Sequence, residues 1–251
     1  MIKDKFFWWK YQNMTAIPLL FVWILIAFFG MVDSVFLPSP YETLKCFFKL
    51  LSLQFFEEQL LPSTIRILFA FFLSFVIAFP LGLLSSQNPL IRKMILPICS
   101  FARYLPVAAF VPLCILWFGI GDAQKVAVIM LGVTFPLVLL IAADTASTPT
   151  ELIETGRTFG LTKAEIVRRI VLPWAMPAIW EDLRISAGWA WSYLVLAELV
   201  AGNSGIGYFV VQSQRYLETA NVFAGILFIG LLGLLTDLIF RIIGSRLFRW
   251  V

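Results

Sequence analysis

The chain has 251 residues, of which 61% are hydrophobic and only 14% are charged. Soluble domains carry about 25% charged residues, so this composition leaves too little polar surface for a soluble globule and indicates an integral membrane protein. The net charge of +4 comes from basic residues spread around apolar segments. That distribution argues against nucleic-acid binding and reflects membrane topology.

Residue types that carry most enzyme chemistry are scarce. The chain has no histidine, which removes the commonest general base and metal ligand. Its three cysteines match no metal or redox spacing, and they are expected to pack as small hydrophobic residues. The phosphate-binding motif G-x-x-x-x-G-K-[ST] does not occur. We therefore expect no catalytic site, no metal and no cofactor in this chain.

Apolar segments recur along the whole sequence. About 20 residues are needed to cross a hydrocarbon core about 30 Å thick. Six segments are long enough, at about 15–32, 63–85, 94–119, 123–144, 181–201 and 221–241. We predict an all-α polytopic membrane protein that forms a single domain over 1–251. With the amino terminus inside, 13 of the 19 lysines and arginines are cytoplasmic, so the positive-inside rule places both termini in the cytoplasm.

The connection after the first span carries a helix signal. Ser39 and Glu42 form a capping box with Pro40 at the first helical position, which predicts a helix over about 40–53. Its apolar residues recur at helical spacing with lysines between them, as in an amphipathic helix at the outer membrane surface. The alternative is a helix that packs over the bundle.

The third span contains both prolines and a charge. Pro97, Pro106 and Pro112 interrupt it, so we predict a broken or kinked helix. Arg103 lies within the same segment, and a charge inside a bilayer usually faces a cavity or a partner. Either this arginine lines a path for a small anion, or backbone carbonyls or a carboxylate hold it in a structural role.

The longest polar connection covers about 146–180 and faces the cytoplasm in this topology. A second capping box at 148–151 predicts a short helix that ends before Gly160, since glycine adopts the left-handed conformation without strain. A third capping box at 162–165 begins another short helix, which Pro173 is expected to stop. Two short helices joined by a tight turn form a rigid elbow that can transmit force to the spans. The alternative is a solvated linker.

This connection resembles the EAA loop of ABC importer permeases. In that pattern Glu-Ala-Ala is followed by three residues, a glycine, nine residues and Ile-x-Leu-Pro. The residues that match are Glu154, Gly160, Ile170, Leu172 and Pro173. Thr155 and Gly156 replace the two alanines, and Gly156 weakens a helix by about 1 kcal/mol relative to alanine. The resemblance implies that these residues dock in a groove of a separate cytoplasmic ATPase.

The similarity extends over about 37–245, and it is closest in pattern to the importers of nitrate, sulfonates, taurine and bicarbonate. The segments that carry it are 37–40, 103–121, 189–198 and 205–208. The resemblance implies a multi-pass permease subunit in the bacterial inner membrane, where it forms the path for a small anionic solute. It implies a second permease copy in a homodimer, two subunits that bind ATP and Mg, and an extracytoplasmic solute-binding protein.

Four residues are candidates for the translocation path: Arg103, Trp117, Trp191 and Glu198. Glu198 has three alternatives, which are gating the path, bonding to the binding protein, or pairing with Arg103. Asp237 and Arg241 are four residues apart, the spacing of an ordinary helix ion pair. A stand-alone secondary transporter or channel is the competing function, although six spans are few and no inverted repeat is visible.

Overall fold

The computed structural model describes residue 18 and residues 20–249, and regular structure in this part of the chain is helical. In chain order the helices are α1 (20–28), α2 (Pro40–Lys49), α3 (Leu53–Phe55), α4 (Leu61–Gln87), α5 (Pro89–Ala102), α6 (Val107–Phe118), α7 (Asp122–Ala146), α8 (Thr150–Thr158), α9 (Lys163–Ile166), α10 (Leu172–Ala201), α11 (Ile206–Arg215) and α12 (Thr219–Leu247). The start of the first predicted span, at 15–17, lies outside the described residues.

The long helices carry the membrane signal. Within the described residues, three stretches are long and apolar enough to cross a membrane: Leu53–Gln87, α7 and α12. If the bent pair formed by α5 and α6 is one span, the described residues contain up to four spans. Only 17% of the most apolar window of α12 is buried, so its hydrophobic side chains face outward, as expected in lipid. The all-α membrane fold is confirmed, whereas the count of six spans stays a prediction.

Helix α7 lies at the centre of the bundle, between α4 and α10. Val133, Leu137 and Ile141 on α7 have no exposed surface. Two glycines allow the neighbouring helices to pack closely. A Cβ atom at Gly82 would lie 2.8 Å from Ile141 Cβ, and one at Gly132 would lie 2.3 Å from the ring of Tyr193. The core is therefore a packed helical layer in which α7 contacts both α4 and α10.

The third predicted span is broken, as the prolines indicated. α5 and α6 meet at an angle of 100°. Arg103 ends α5, and Pro106 precedes α6 in an extended conformation with φ −69° and ψ 111°. A proline disfavours the helical conformation in the residue before it, so the break at Pro106 agrees with the broken helix that the prolines predicted.

The predicted helix near residue 40 begins as expected. Ser39 and Glu42 form a capping box, in which the Glu42 N–H donates to Ser39 Oγ at 3.2 Å. α2 ends at Lys49, earlier than the predicted boundary near 53, and α3 begins after Ser52. The ring of Phe47 lies 5.6 Å from that of Phe228 on α12. α2 therefore packs over the bundle, which was the second of the two interpretations.

Pro173 does not stop the second loop helix, and this prediction was wrong. α9 continues through a single π-helical turn, Val167–Val171, directly into α10. The Leu172 N–H donates to the Val167 carbonyl oxygen, five residues back. Because the α-helical register restarts after this turn, Pro173 occupies the first turn of α10, where a missing N–H is tolerated. The fifth predicted span, 181–201, is consequently the second half of a longer helix.

The capping box predicted at 148–151 does not form. Pro149 is the N-cap residue of α8, without a side-chain cap. Thr148 is buried, and its hydroxyl instead donates to the carbonyl oxygen of Thr145 at 3.1 Å. The Thr148 hydroxyl thus binds a carbonyl oxygen at the end of α7 instead of a backbone N–H in the first turn of α8.

Candidate functional site

The first candidate site is the polar elbow between α7 and α10, which comprises α8, the turn after it, α9 and the π turn Val167–Val171. Gly160 adopts φ +78°, as predicted. Its N–H donates to the Arg157 carbonyl oxygen at 2.9 Å, and the Leu161 N–H donates to the Gly156 carbonyl oxygen at 3.0 Å. These two bonds form a Schellman motif, which fixes the exit direction of α8.

The two arms of the elbow approach closely at Gly156. A Cβ atom there would lie 2.6 Å from Ile170 Cδ1 and 3.4 Å from Ile166 Cγ1. Glycine therefore lets α8 pack directly on the π turn, in place of the alanine of the family pattern. Ile170 thus reaches Gly156 across the elbow, while Leu172 and Pro173 begin α10.

A capping box stabilises the start of α9, the second helix of the elbow. The Thr162 N–H donates to Glu165 Oε2 at 3.0 Å, and the Glu165 N–H donates to Thr162 Oγ1 at 3.3 Å, so the predicted capping box is confirmed. The bond from the Thr162 backbone, followed by that from its hydroxyl, lowers the pKa of Glu165 below its usual value. The carboxylate therefore stays ionised and keeps the cap through mildly acidic pH.

The tip of the elbow presents its polar and aromatic groups outward. Glu154 and Thr155 are exposed, and the Thr155 hydroxyl donates to the Glu151 carbonyl oxygen at 2.7 Å. Phe159 is 81% exposed at the end of α8. Sequence reasoning did not single out this phenylalanine, although an aromatic residue next to the predicted turn was a usable signal. An exposed aromatic side chain on a rigid tip suits insertion into a protein groove.

The second candidate site is a buried ion network at the opposite end of α10. The Glu198 side chain has no exposed surface and pairs with Arg66, whose Nη1 lies 2.7 Å from Glu198 Oε1. The Glu198 carboxylate also accepts bonds from the Ser63 hydroxyl at 2.8 Å and the Gly207 N–H at 2.9 Å. Arg66 Nε lies 2.7 Å from Asp122 Oδ1. The predicted alternative of an Arg103–Glu198 pair is therefore wrong.

Arg66 was not singled out at the sequence level, because no local pattern around this arginine indicates that its side chain is buried beside a carboxylate. Its guanidinium joins three helices and the loop after α10, where it donates to the Ser204 carbonyl oxygen at 3.0 Å. Lys125 is fully buried beside this network, and its Nζ lies 3.9 Å from Asp122 Oδ1. Only a charge late in α10 and another early in α4 signalled this arrangement.

The four candidate path residues are not brought together. Arg103 is exposed at the α5–α6 bend, where its guanidinium lies 4.8 Å from the centre of the Tyr104 ring. Trp117 is 61% exposed and lines an apolar cavity of about 500 Å³. Trp191 is buried and donates to Thr236 Oγ1 at 3.1 Å. Trp191 and Glu198 are thus packed inside the subunit, whereas Arg103 and Trp117 are accessible.

The charged residues of α12 behave as predicted. Arg241 Nε lies 2.8 Å from Asp237 Oδ2, which confirms the ion pair. Asp237 also pairs with Arg184 of α10. The described residues contain no group of three or more cysteine, aspartate or glutamate side chains placed to hold a metal ion. The two candidate sites lie at opposite ends of α10, with the elbow before its start and the ion network near its end.

The model of one protein family matches residues 74–249, which is more than half of the chain. Its description is "Binding-protein-dependent transport system inner membrane component". The chain belongs to this permease family. This permease is 32% identical to the taurine transport system permease protein TauC of Escherichia coli over 241 residues, covering 94% of this chain and 88% of TauC. The family predicted from the elbow is confirmed.

Two further comparisons agree with this assignment. The permease is 29% identical over 248 residues to a putative aliphatic sulfonates transport permease protein, SsuC of Bacillus subtilis, covering 99% of this chain and 90% of that protein. Among solved structures, a chain of the MetNI methionine ABC transporter in an inward-facing conformation superimposes with a TM-score of 0.65 at 20% identity, covering 79% of this permease and 98% of that chain. That likeness shows the fold. Family membership also decides against the stand-alone transporter or channel.

Proposed function

We propose that this permease pairs with a second copy of itself to form the translocation path of an ATP-driven importer for a small anionic solute of the sulfonate class. The relatives named for taurine and aliphatic sulfonates align over nearly the whole chain, which supports the solute class. The exposed Arg103 at the helix break provides a cation of the sign that a sulfonate requires. Trp117 is also accessible, and we assign it to the same path.

The elbow is the observation that carries this proposal. α8 is fixed to the π turn through the Gly156–Ile170 contact, and the π turn runs without a break into α10. α10 has 30 residues and therefore spans about 45 Å at 1.5 Å per residue. A displacement of α8 by a partner is thus delivered to α10 as a rigid-body motion. At its far end α10 holds Glu198, so the same motion reaches the Arg66 network.

The power source is a separate chain. The sequence has no phosphate-binding loop, which supports our assignment of ATP and Mg to two separate cytoplasmic subunits and of a non-catalytic role to this one. A solute-binding protein delivers the solute from outside. Both termini and the elbow then face the cytoplasm of a bacterium, and the Arg66–Glu198 network lies near the outer side of the inner membrane.

The test is co-expression with the ATPase encoded beside this gene, followed by native mass spectrometry of the purified complex. We expect two permeases and two ATPases. Phe159→Ser removes the exposed aromatic side chain of the tip and is expected to abolish ATPase retention without changing the fold. Thr158→Ala, on the neighbouring exposed position, is the matched control and keeps the complex. A wild-type chain that never retains an ATPase contradicts the proposal.

Gly160 tests the rigidity of the elbow. An alanine at φ +78° costs about 1–2 kcal/mol, although the space around this position is open. We expect Gly160→Ala to reduce coupled uptake of a labelled alkanesulfonate, whereas Gly160→Asn, which tolerates this backbone better, reduces it less. Gly230→Ala, at another open position but with ordinary helical backbone, should leave uptake unchanged. Equal uptake by all three variants would refute the role of the elbow.

A further inference from the structure

We propose that the junction between the elbow and the ends of α4, α5 and α7 holds a binding site for a phosphate group. This site, here called the basic cavity, has a volume of about 700 Å³. Three cations from three separate helices line it: Arg92 of α5, Arg157 of α8 and Lys163 of α9. The proposal concerns an anion other than the transported solute, and it does not depend on the solute class or on the ATPase.

The charge of the basic cavity is not compensated. No aspartate or glutamate is among its lining residues. Within the described part of the chain, none of the three cations forms an ion pair with a carboxylate, whereas Arg169 on the same elbow pairs with Glu165 at 3.5 Å. Three positive charges around one opening attract an anion that carries more than one acceptor oxygen, and a phosphate group has this character.

The remaining lining points to a ligand with both polar and apolar parts. The Ser86 hydroxyl donates to a carbonyl oxygen of α4, and the Thr148 hydroxyl donates to one of α7, so neither is free to donate to a ligand. Apolar residues also line the cavity, among them Leu83, Leu84 and Ile153. A pocket between membrane helices that combines several cations with apolar side chains is of the kind that binds the headgroups of anionic phospholipids. A soluble phosphate would contact the three cations and leave the apolar residues unused.

Occupancy of the basic cavity has a structural consequence. Arg157 belongs to the elbow's first helix and Lys163 to its second, while Arg92 belongs to the membrane bundle. A single phosphate held among them would tie both arms of the elbow to the bundle. The ligand is therefore expected to stabilise the elbow in its observed position.

Two probes distinguish the sources of the phosphate. The purified permease is placed in phosphatidylcholine nanodiscs with or without phosphatidylglycerol, and retained lipid is measured by native mass spectrometry. In parallel, inorganic phosphate is added to the phosphatidylcholine nanodiscs and the melting temperature is recorded. Preferential retention of phosphatidylglycerol identifies a lipid headgroup. A phosphate-dependent rise in melting temperature without lipid preference identifies a soluble anion. Either result supports the site.

The variants make the test specific. Arg157→Gln and Lys163→Gln should each weaken the response about fivefold, the effect of one basic residue on an anionic ligand at a membrane surface. Lys93→Gln and Arg168→Gln, exposed cations next in sequence to the site that do not line it, should leave the response unchanged. Equal responses in all four variants overturn the proposal. It is also overturned if the site variants lose only a co-expressed ATPase and respond normally to both probes.

Discussion

Replacing Arg66 with methionine removes the only cation within ion-pair distance of Glu198 among the described residues. The Glu198 side chain has no exposed surface, so its carboxylate would keep only the Ser63 hydroxyl and the Gly207 N–H. Breaking a buried ion pair by removing one partner costs about 3–5 kcal/mol, because the remaining charge is left without compensation. At about 2–4 °C per kcal/mol, the melting temperature should fall by about 6–20 °C.

The assay is thermal unfolding of the purified permease in nanodiscs, followed by intrinsic tryptophan fluorescence. Arg103→Met is the matched control, since Arg103 is exposed and forms no ion pair in the described structure. The double variant Arg66→Met, Glu198→Met removes both charges and should recover most of the loss, because an apolar pair of similar volume is often tolerated. The reasoning fails if Arg66→Met has the same melting temperature as the Arg103→Met control. It also fails if the double variant lowers the melting temperature by the sum of the two single effects.

Three further substitutions test individual contacts, each by the same melting assay. Gly205→Ala should destabilise the permease by at least about 1–3 kcal/mol, because φ is +114° and the new Cβ would lie 2.2 Å from Glu198 Oε1; a normal melting temperature would contradict this. Gly156→Ala should change stability by less than about 1 kcal/mol, since the gain in helix propensity offsets a contact with the mobile end of Ile170; a large loss would show that the elbow cannot adjust. Trp191→Phe removes the bond to Thr236 and should cost about 1 kcal/mol, whereas no change would mean that the bond is dispensable.

Local signals in the sequence predicted local structure well. The capping boxes at Ser39 and Thr162 and the left-handed turn at Gly160 each depend on a few neighbouring residues, and all three form. The break at Pro106 follows the same logic. These features need no information about the rest of the fold, so the sequence alone was sufficient.

The features that sequence reasoning missed depend on distant partners. Arg66 and Glu198 are 132 positions apart, and no local pattern indicates that they meet. Thr148 carries a capping motif, but its hydroxyl is used by the preceding helix. Pro173 ends a helix only when the α-helical register is continuous, and the π turn changes that register. The proposed homodimer would form the translocation path from residues of two copies, so no pattern within a short stretch of one sequence indicates which residues line it.

The described residues contain two π turns in corresponding positions, each directly before a Leu-Pro pair: Phe56–Leu60 before α4 and Val167–Val171 before α10. A π turn adds one residue to a helix, and each residue of an α-helix turns the chain by about 100°. Each turn therefore sets an angular offset between the segments that it joins. In the first, Gln59 accepts the Gly205 N–H at 2.8 Å, and in the second, Ile170 meets Gly156. Deleting one residue from either turn would rotate the contacting side chain about a quarter of the way around its helix. The contacts near both ends of α10 therefore depend on the rotation of the joined segments about their axes as well as on their length.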